Sequence, residues 1–202
     1  DGEKILKNDT ILIIKGKAHS ILSIERIILN CLQRMSGIAT KTNSLVAMTK
    51  KYGTKLLDTR KTTPGIRFME KWAVKIGGGE NHRFGLYDAI LIKDNHIDYC
   101  KGITNAVQKA CDYVQKNGKI PIIVEVRHKK ELTDIVNLKP KIDRIILDNF
   151  NIEQTNEALK YVDGLYPLET SGNISEENII DYAKTGVNYI SIGALTHSVK
   201  NI

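Results

Sequence analysis

The segment that decides the fold is residues 121–148, PIIVEVRHKKELTDIVNLKPKIDRIILD. It begins and ends with short, mostly apolar runs, which we predict to be the strands Pro121–Val126 and Arg144–Leu147. Between them the apolar residues have helical spacing and Pro140 marks a stop, so we predict a helix over Lys129–Leu138. A strand, a helix and a second buried strand form a βαβ unit, whose strands run parallel.

The same alternation continues on both sides of this segment, from Gly53 to the end of the chain. Further strands are predicted at Lys55–Asp58, Ala89–Lys93, Leu165–Leu168 and Asn188–Ile192. Further helices are predicted at Pro64–Ile76, Gly102–Lys116, Ile152–Val162 and Ser175–Lys184, with another that begins at Gly193. Six strand–helix units in series predict an α/β fold with a parallel sheet and right-handed crossovers.

The first fifty residues have a different pattern. Ile11–Ile14 is predicted to be a strand, and Ile24–Lys51 a helix for which Ser23 is the expected N-cap. Gly37 interrupts the apolar pattern of this helix, and we expect it to mark a break or a point of close packing.

Polar residues follow the predicted strands one strand at a time. They are Arg60-Lys61, Lys93, Glu125, Asp148, Glu169-Thr170-Ser171 and Gly193. An open doubly wound sheet would concentrate its ligand groups at one switch point, and no dinucleotide fingerprint follows the first strand. A βα barrel instead builds its active face from the ends of all its strands. We therefore predict an incomplete βα barrel of six to seven parallel strands.

The composition narrows the class of partner. The chain has 202 residues, a net charge of +7 and 42% hydrophobic residues, which fits a globular protein with an anionic ligand. No stretch of 18 apolar residues and no signal peptide is visible, so no membrane association is expected. Aromatic residues make up 6% and do not interleave with a basic stripe, which argues against nucleic acid. Three cysteines without a CxxC motif favour a reducing cytoplasm.

Four basic side chains lie near the predicted strand ends or beside the run Gly77-Gly78-Gly79: Arg60, His82, Arg83 and Lys93. Together they predict a clamp for a small, multiply negative ligand, since arginine makes bidentate contacts with carboxylate and phosphate. The alternative for each one singly is a solvated basic face.

Two carboxylates lie at the ends of predicted buried strands: Glu125 lies within the apolar run that ends at Val126, and Asp148 directly follows Leu147. A buried carboxylate needs a partner, and two of them predict a Mg²⁺ site that is completed by ligand phosphates. The alternative is a structural ion pair with a barrel lysine.

The last two loops contain small residues just before predicted helices. They are Ser171-Gly172-Asn173 and Gly193-Ala194-Leu195-Thr196-His197-Ser198. Free backbone N–H groups at helix starts bind phosphate, and the final loops of βα barrels often do so. For Ser171-Gly172-Asn173 the alternative is plain helix capping, and for His197 it is a packed terminal histidine.

These residues form a series of motifs in order along the chain. The motifs are Glu25-Arg26, Leu29-Asn30, Leu32-Gln33-Arg34-Met35-Ser36-Gly37-Ile38-Ala39-Thr40, Leu57-Asp58-Thr59-Arg60-Lys61-Thr62-Thr63-Pro64-Gly65, Asn81-His82-Arg83, Leu91-Ile92-Lys93-Asp94-Asn95-His96, Val124-Glu125-Val126, Leu147-Asp148-Asn149-Phe150, Ser171-Gly172-Asn173-Ile174 and Ile192-Gly193-Ala194-Leu195-Thr196-His197-Ser198. From about residue 9 to residue 198 the chain closely resembles the quinolinate phosphoribosyltransferases, also called carboxylating nicotinate-nucleotide pyrophosphorylases.

The resemblance implies an activity and a set of roles. Quinolinate and phosphoribosyl pyrophosphate would give nicotinate mononucleotide, pyrophosphate and CO₂ in NAD biosynthesis, with Mg²⁺ as cofactor. The implied catalytic residues are Lys61, Lys93, Glu125 and Asp148, of which Glu125 and Asp148 would hold the metal. The implied quinolinate ligands are Arg60, His82, Arg83 and Lys93, and the implied 5′-phosphate ligands are Ser171, Gly172, Asn173, Gly193 and His197.

The resemblance also implies an assembly and a domain division. Residues 1–25 would be a truncated remnant of an N-terminal α/β sandwich domain, and residues 26–202 the barrel. Arg26 matches an arginine that reaches the neighbouring subunit's site, so a homodimer or a higher homo-oligomer is expected.

The rival interpretations stay open on the sequence alone. They are a paralogue of the same fold associated with molybdate transport, a nicotinate phosphoribosyltransferase, a Schiff-base aldolase that uses Lys93, and a basic nucleic-acid scaffold.

Overall fold

The structure is a computed structural model that describes residues 2–202. Its strands, numbered along the chain, are β1 Lys55–Leu57, β2 Ile90–Ile92, β3 Ile122–Val126, β4 Arg144–Asp148, β5 Leu168–Ser171 and β6 Tyr189–Ser191. They form one parallel sheet in the order β1-β6-β5-β4-β3-β2. The first strand thus pairs with the last, as in a barrel, while β1 and β2 do not pair. The α/β fold with an incomplete six-stranded βα barrel is confirmed.

The helices cover the outside of this sheet. They are α1 Ala18–Thr49, α2 Arg67–Ile76, α3 Asp94–Tyr99, α4 Ile103–Asn117, α5 Lys129–Leu138, α6 Ile152–Val162, α7 Ile179–Lys184 and α8 Ala194–His197. The bounds of α5 and α6 agree with the prediction. His128 and Asn151 cap their starts by accepting hydrogen bonds from the backbone N–H groups of Glu131 and Gln154. None of the helices within residues 2–202 is both long enough and apolar enough to cross a bilayer.

The sheet buries apolar residues on both faces, which explains its nearly continuous apolar strands. The main core lies between the sheet and the helices and includes Val124, Leu147 and Ile190. A small cluster of Ala89, Ile123 and Ile146, with Leu91 packed against it, lies on the opposite face. The face that carries Ile123 and Ile146 is therefore the inner face of the barrel, and Glu125 and Asp148 follow on it, because side chains of a strand alternate between faces.

Gly37 is a point of close packing in α1, as expected. A Cβ atom at this position would collide with the backbone carbonyl of Lys200, which belongs to the segment after α8. The C-terminal segment therefore lies directly against α1, and the helix continues without a break.

The N-terminal predictions were partly wrong. Ile11–Ile14 does not form a strand, because it pairs with no strand among residues 2–202, and its side chains are exposed. The first helix begins at Ala18, so Ser23 is not its cap, and the Ser23 hydroxyl donates to the carbonyl of His19 instead. The predicted domain division after residue 25 falls inside α1 and stays a prediction.

Three other element bounds were wrong. The helix predicted from Pro64 begins at Arg67, and the helix predicted from Ser175 begins at Ile179. The strand predicted at Leu165–Leu168 is β5, which begins where the prediction ended, because its pairing places Leu168 beside Ile145. This shift moves Glu169 from a strand end into the barrel.

Candidate active site

The carboxyl ends of the six parallel strands form one rim, which gathers the predicted site residues. Around this rim, in spatial order from β1, lie Arg60 and Lys61, then Gly193, Ser171, Asp148, Glu125 and Lys93. The structure therefore brings these seven residues to one end of the barrel, as expected for this architecture.

Lys93 and Glu125 form an ion pair across β2 and β3. Lys93 Nζ lies 2.8 Å from Glu125 Oε2, and the lysine side chain is 45% exposed whereas the glutamate side chain is 11% exposed. The structural alternative considered for Glu125 is thus present in the structure. The exposed ammonium also faces the rim, where an anion can reach it.

Asp148, at the end of β4, is held by the last residue of β5 and by its own neighbour, Asn149. The Ser171 hydroxyl donates to Asp148 Oδ1 at 3.2 Å, and Asn149 Nδ2 donates to Oδ2 at 3.0 Å. Gly172 has a φ of +89°, and a Cβ atom there would collide with the Asn149 side chain. Glycine is therefore required at position 172 for the loop to approach Asn149.

Lys61, Gly193 and His197 meet on the other side of the rim. A Cβ atom on Gly193 would lie 3.0 Å from His197 Nε2 and 3.1 Å from Lys61 Cδ. The Thr196 hydroxyl donates to the Lys61 carbonyl at 2.8 Å and so ties the two loops together. Both His197 and Lys61 are exposed, which leaves their polar ends open to a ligand.

Glu125 and Asp148 lie on the neighbouring strands β3 and β4. Glu125 pairs with Ile146, and Asp148 is two residues further along β4, so the two side chains point to the same face. Within residues 2–202 no group of three or more histidine, cysteine or acidic residues forms a metal-binding cluster. A Mg²⁺ ion held by this pair would take its remaining oxygen ligands from phosphates and water.

His82 is nearly buried, and its ring is fixed as a neutral hydrogen-bond donor. The backbone N–H of Arg83 donates to His82 Nδ1 at 2.8 Å, so the ring proton is on Nε2. Burial, and then the positive charges of Arg144, Lys71, Arg83 and Lys93, lower the pKa of His82 to about 3. The 3.7 Å approach of His82 Nε2 to Glu169 is therefore not an ion pair at neutral pH.

This lowered pKa makes stability depend on pH. Below pH 6.5 the unfolded chain protonates His82 while the folded protein does not, so stability is lost as pH falls from 6.5 towards 3. Between pH 7 and pH 5 the wild-type protein should lose about 2 kcal/mol of unfolding free energy through protonation of His82 in the unfolded chain. The variant His82→Asn should not show this part of the loss. Urea unfolding at the two pH values measures this, and equal losses for the two proteins would contradict it.

The guanidinium of Arg83 uses only some of its donors within the fold. Its NH1 donates to the Ala89 carbonyl at 3.1 Å, while its buried Nε has no hydrogen-bond partner among residues 2–202. Burial and then the charge of Arg60 lower the pKa of the Arg83 guanidinium. An anion bound between Arg60 and Arg83 would offset the repulsion between their charges.

Three buried networks around the rim were not predicted. Asp58 pairs with Lys71, Glu70 with Arg34, and Glu169 with Arg144 at 2.7 Å. Asp58 follows an apolar strand just as Asp148 does, so the same pattern could have identified it. Glu169 was placed at a strand end, but it lies completely buried inside the barrel, and burial raises the pKa of its carboxyl although Arg144 opposes this.

Two other predicted residues lie away from these contacts. Asn173 is exposed in the loop after β5, with a φ of +50°, and its side chain donates to Asn149 Oδ1 at 3.3 Å. Arg26 is exposed on α1 and forms no ion pair within the described residues 2–202.

The fold is a βα barrel whose rim carries cationic side chains, two carboxylates and two glycine-bearing loops. The family model for the C-terminal domain of quinolinate phosphoribosyl transferase matches residues 38–202, and the model for the N-terminal domain matches residues 1–36. The chain belongs to the quinolinate phosphoribosyl transferase family.

Named relatives agree with this assignment. The chain is 41% identical to quinolinate phosphoribosyltransferase [decarboxylating] 1 of Nicotiana glauca, over 99% of this chain and 61% of that protein. It is 43% identical to a probable carboxylating nicotinate-nucleotide pyrophosphorylase of Bacillus subtilis, over 100% of this chain and 68% of that protein. The chain thus spans about three fifths of the length of the plant relatives that it matches.

Solved structures show the same fold. NadC from Streptococcus pyogenes matches with a TM-score of 0.91 and 39% identity, over 100% of this chain and 70% of that one. The nicotinate-nucleotide pyrophosphorylase from Francisella tularensis matches with a TM-score of 0.84 and 48% identity, over 92% of this chain and 64% of that one.

Proposed function

We propose that this chain carries the catalytic barrel of an enzyme that converts quinolinate and phosphoribosyl pyrophosphate into nicotinate mononucleotide, pyrophosphate and CO₂. The observation that carries the proposal is the gathering of two cationic groups of residues on one rim, in a chain of this family. One group suits a dicarboxylate and the other suits phosphates.

The dicarboxylate half consists of Arg60, His82, Arg83 and Lys93. The guanidinium of Arg83, of which NH1 is bonded to the Ala89 carbonyl, and the exposed ammonium of Lys93 would offer charge-assisted hydrogen bonds to two carboxylates. His82 contributes Nε2–H as a neutral donor, because its low pKa keeps the ring uncharged. A single carboxylate would not need so many donors, which favours quinolinate over nicotinate.

The phosphoribosyl half consists of the other side of the rim. Gly193 and His197 lie beside Lys61, and Ser171-Gly172-Asn173 leads from β5. We assign the 5′-phosphate to these two glycine-bearing loops and the pyrophosphate to Lys61 and the pair Glu125–Asp148. Bound there, Mg²⁺ would neutralise pyrophosphate charge and favour its departure.

The reaction then depends on positioning and electrostatics. The pyridine nitrogen forms a bond to C1′ of the ribose while the bond from C1′ to pyrophosphate breaks. Positive charge develops at C1′, and we assign its stabilisation to the carboxylates of Glu125 and Asp148. Loss of CO₂ from the ring leaves an electron pair on carbon, which the cationic clamp stabilises until that carbon takes up a proton.

The assembly and the compartment belong to the same proposal. Exposed Arg26 would complete the site of a neighbouring subunit in a homodimer or a larger homo-oligomer. Cys31, Cys100 and Cys111 are all free thiols, which supports a reducing compartment such as the cytoplasm.

The direct test is product formation by the whole protein that contains this chain. Incubation with carboxyl-labelled quinolinate, phosphoribosyl pyrophosphate and Mg²⁺ should release labelled CO₂ and form nicotinate mononucleotide in equal amounts. Nicotinate in place of quinolinate is the control and should give no comparable product. Failure to form product from a folded oligomer would contradict the proposed function.

Two substitutions test the division of the rim. Arg83→Ala should raise the KM for quinolinate by at least about tenfold, and Asp148→Ala should do the same for phosphoribosyl pyrophosphate, since each removes a charged contact. Initial rates with one substrate varied and the other saturating measure both constants. Equal effects of each variant on both constants would contradict the division.

A further inference from the structure

The segment that carries His82 and Arg83 has little regular structure to hold it. Between the bridge residue Glu80 and the start of β2 at Ile90 the backbone forms neither helix nor strand. Donor groups must nevertheless be held within a fraction of an ångström to bind or orient a ligand. Other contacts must therefore fix this backbone.

Those contacts come from two buried charged side chains. Asp58, directly after β1, is fully buried, and Lys71, on α2, is 2% exposed. Lys71 Nζ donates to Asp58 Oδ1, so the two form an ion pair inside the protein. Neither side chain has the exposure to meet a ligand directly.

This ion pair forms hydrogen bonds with both the N–H and the carbonyl of the His82 backbone. The His82 N–H donates to Asp58 Oδ1 at 2.9 Å, and Lys71 Nζ donates to the His82 carbonyl at 2.9 Å. The preceding side chain is tied in as well, because Asn81 Nδ2 donates to Asp58 Oδ2 at 2.5 Å and to the Lys71 carbonyl at 2.8 Å. One ion pair thus replaces the hydrogen bonds that a strand or helix would supply.

A buried ion pair stabilises a core poorly, because both charged groups lose their hydration. Burial raises the pKa of Asp58 and lowers the pKa of Lys71, since it penalises the charged form of each. Apolar side chains of similar volume are often as stable as a buried pair, or more so. What they cannot supply is a donor and an acceptor aimed at one peptide, which points to a positioning role.

We propose that Asp58 and Lys71 are positioning residues that fix the backbone of His82 and Arg83 for the dicarboxylate half of the site. The ligand part of this statement rests on the proposed function. The contacts of the Asp58–Lys71 pair with the His82 backbone are a property of the fold and can be measured without a ligand.

The first test is amide hydrogen exchange of the folded protein. The variants are Lys71→Met and the double substitution Asp58→Leu with Lys71→Met, which removes both charges and both hydrogen-bonding groups. The ratio of the exchange rate at the His82 amide to that at Val124, in the centre of β3, should rise at least about tenfold in the double variant, where that amide has lost its acceptor, and less in Lys71→Met, where Asp58 still accepts. Arg34→Met is the matched control, because it breaks a buried pair that does not contact His82.

The second test is kinetic and uses the same variants of the whole protein. The KM for quinolinate should rise at least about tenfold in the double variant, while the KM for phosphoribosyl pyrophosphate stays within about twofold. A purely structural role would lower the amount of active enzyme without this split.

The outcomes separate the two proposals. An unchanged exchange ratio, or a ratio that rises equally in Arg34→Met, would show that the Asp58–Lys71 pair does not fix the His82 backbone, whatever the activity. A raised ratio with both KM values unchanged overturns the positioning role. Absence of turnover in every protein, wild type included, overturns the proposed function. The exchange ratio still shows whether the Asp58–Lys71 pair fixes the His82 backbone.

Discussion

Arg34→Met is expected to lower the free energy of unfolding by about 3–5 kcal/mol, because it leaves a buried carboxylate without its cation. Arg34 donates to Glu70 Oε1 at 2.9 Å and 2.8 Å, and the Glu70 side chain is completely buried. Arg34 also donates to the carbonyl of Val199 at 2.9 Å and to the carbonyl of Thr196. The substitution therefore also leaves two backbone acceptors with one donor fewer.

The loss should extend into the site, because Glu70 also holds the loop that carries Lys61. The backbone N–H of Thr63 donates to Glu70 Oε2 at 2.9 Å, and its hydroxyl donates to Oε1 at 2.8 Å. Breaking this network should therefore weaken phosphoribosyl pyrophosphate use before quinolinate use.

Urea unfolding at pH 7 measures the change in stability. The matched control is Lys129→Met, which breaks the pair of Lys129 with Glu157, also 2.9 Å long but exposed on both sides. Such exposed pairs contribute about 0–1 kcal/mol, so the control should stay near wild type. A similar loss in the two variants would show that burial of Glu70 does not govern the effect.

The architecture could be predicted because it is determined by local patterns. Strands buried on both faces give continuous apolar runs, and signals such as Pro140 and Asp163-Gly164 end the helices between them. The bounds of α5 and α6 needed no tertiary information. Ile11–Ile14 has the same apolar pattern, but a strand also needs a partner, and residues 2–202 provide none.

The rim could be predicted for a related reason. In a parallel sheet every strand ends on the same side, so a residue's place after a strand, as for Lys93 and Asp148, is enough to locate it. The shift of β5 shows the limit of this rule. Its register is set by pairing with β4, and Glu169 inside the barrel is neutralised by Arg144 on that neighbouring strand.

The buried networks could not be predicted from local patterns. Asp58 and Lys71 are 13 positions apart, and Arg34 and Glu70 are 36 positions apart, on elements whose packing decides whether they meet. On the sequence these residues look like ordinary polar positions of amphipathic helices and a strand end. Only the packing of α1 and α2 against the barrel shows that they hold the site's loops.

Glu125→Gln is expected to lower kcat by about 10²–10³-fold while leaving the fold nearly intact. The proposed reaction develops positive charge at C1′. Glu125 and Asp148 are the two carboxylates assigned to stabilise that charge. Glutamine keeps the size of the side chain and removes its charge. The cost in stability is small because the partner, Lys93, is 45% exposed and remains solvated when the charge opposite it is lost.

Turnover and thermal unfolding of the same preparations separate catalysis from folding. Glu131→Gln is the control, since Glu131 is a carboxylate of similar burial that pairs with Arg127 at 2.6 Å at the start of α5. It should leave kcat near wild type whatever it does to stability. If Glu125→Gln also left kcat within a few fold of wild type, Glu125 would be a structural partner of Lys93, and transition-state stabilisation would fall to Asp148 alone.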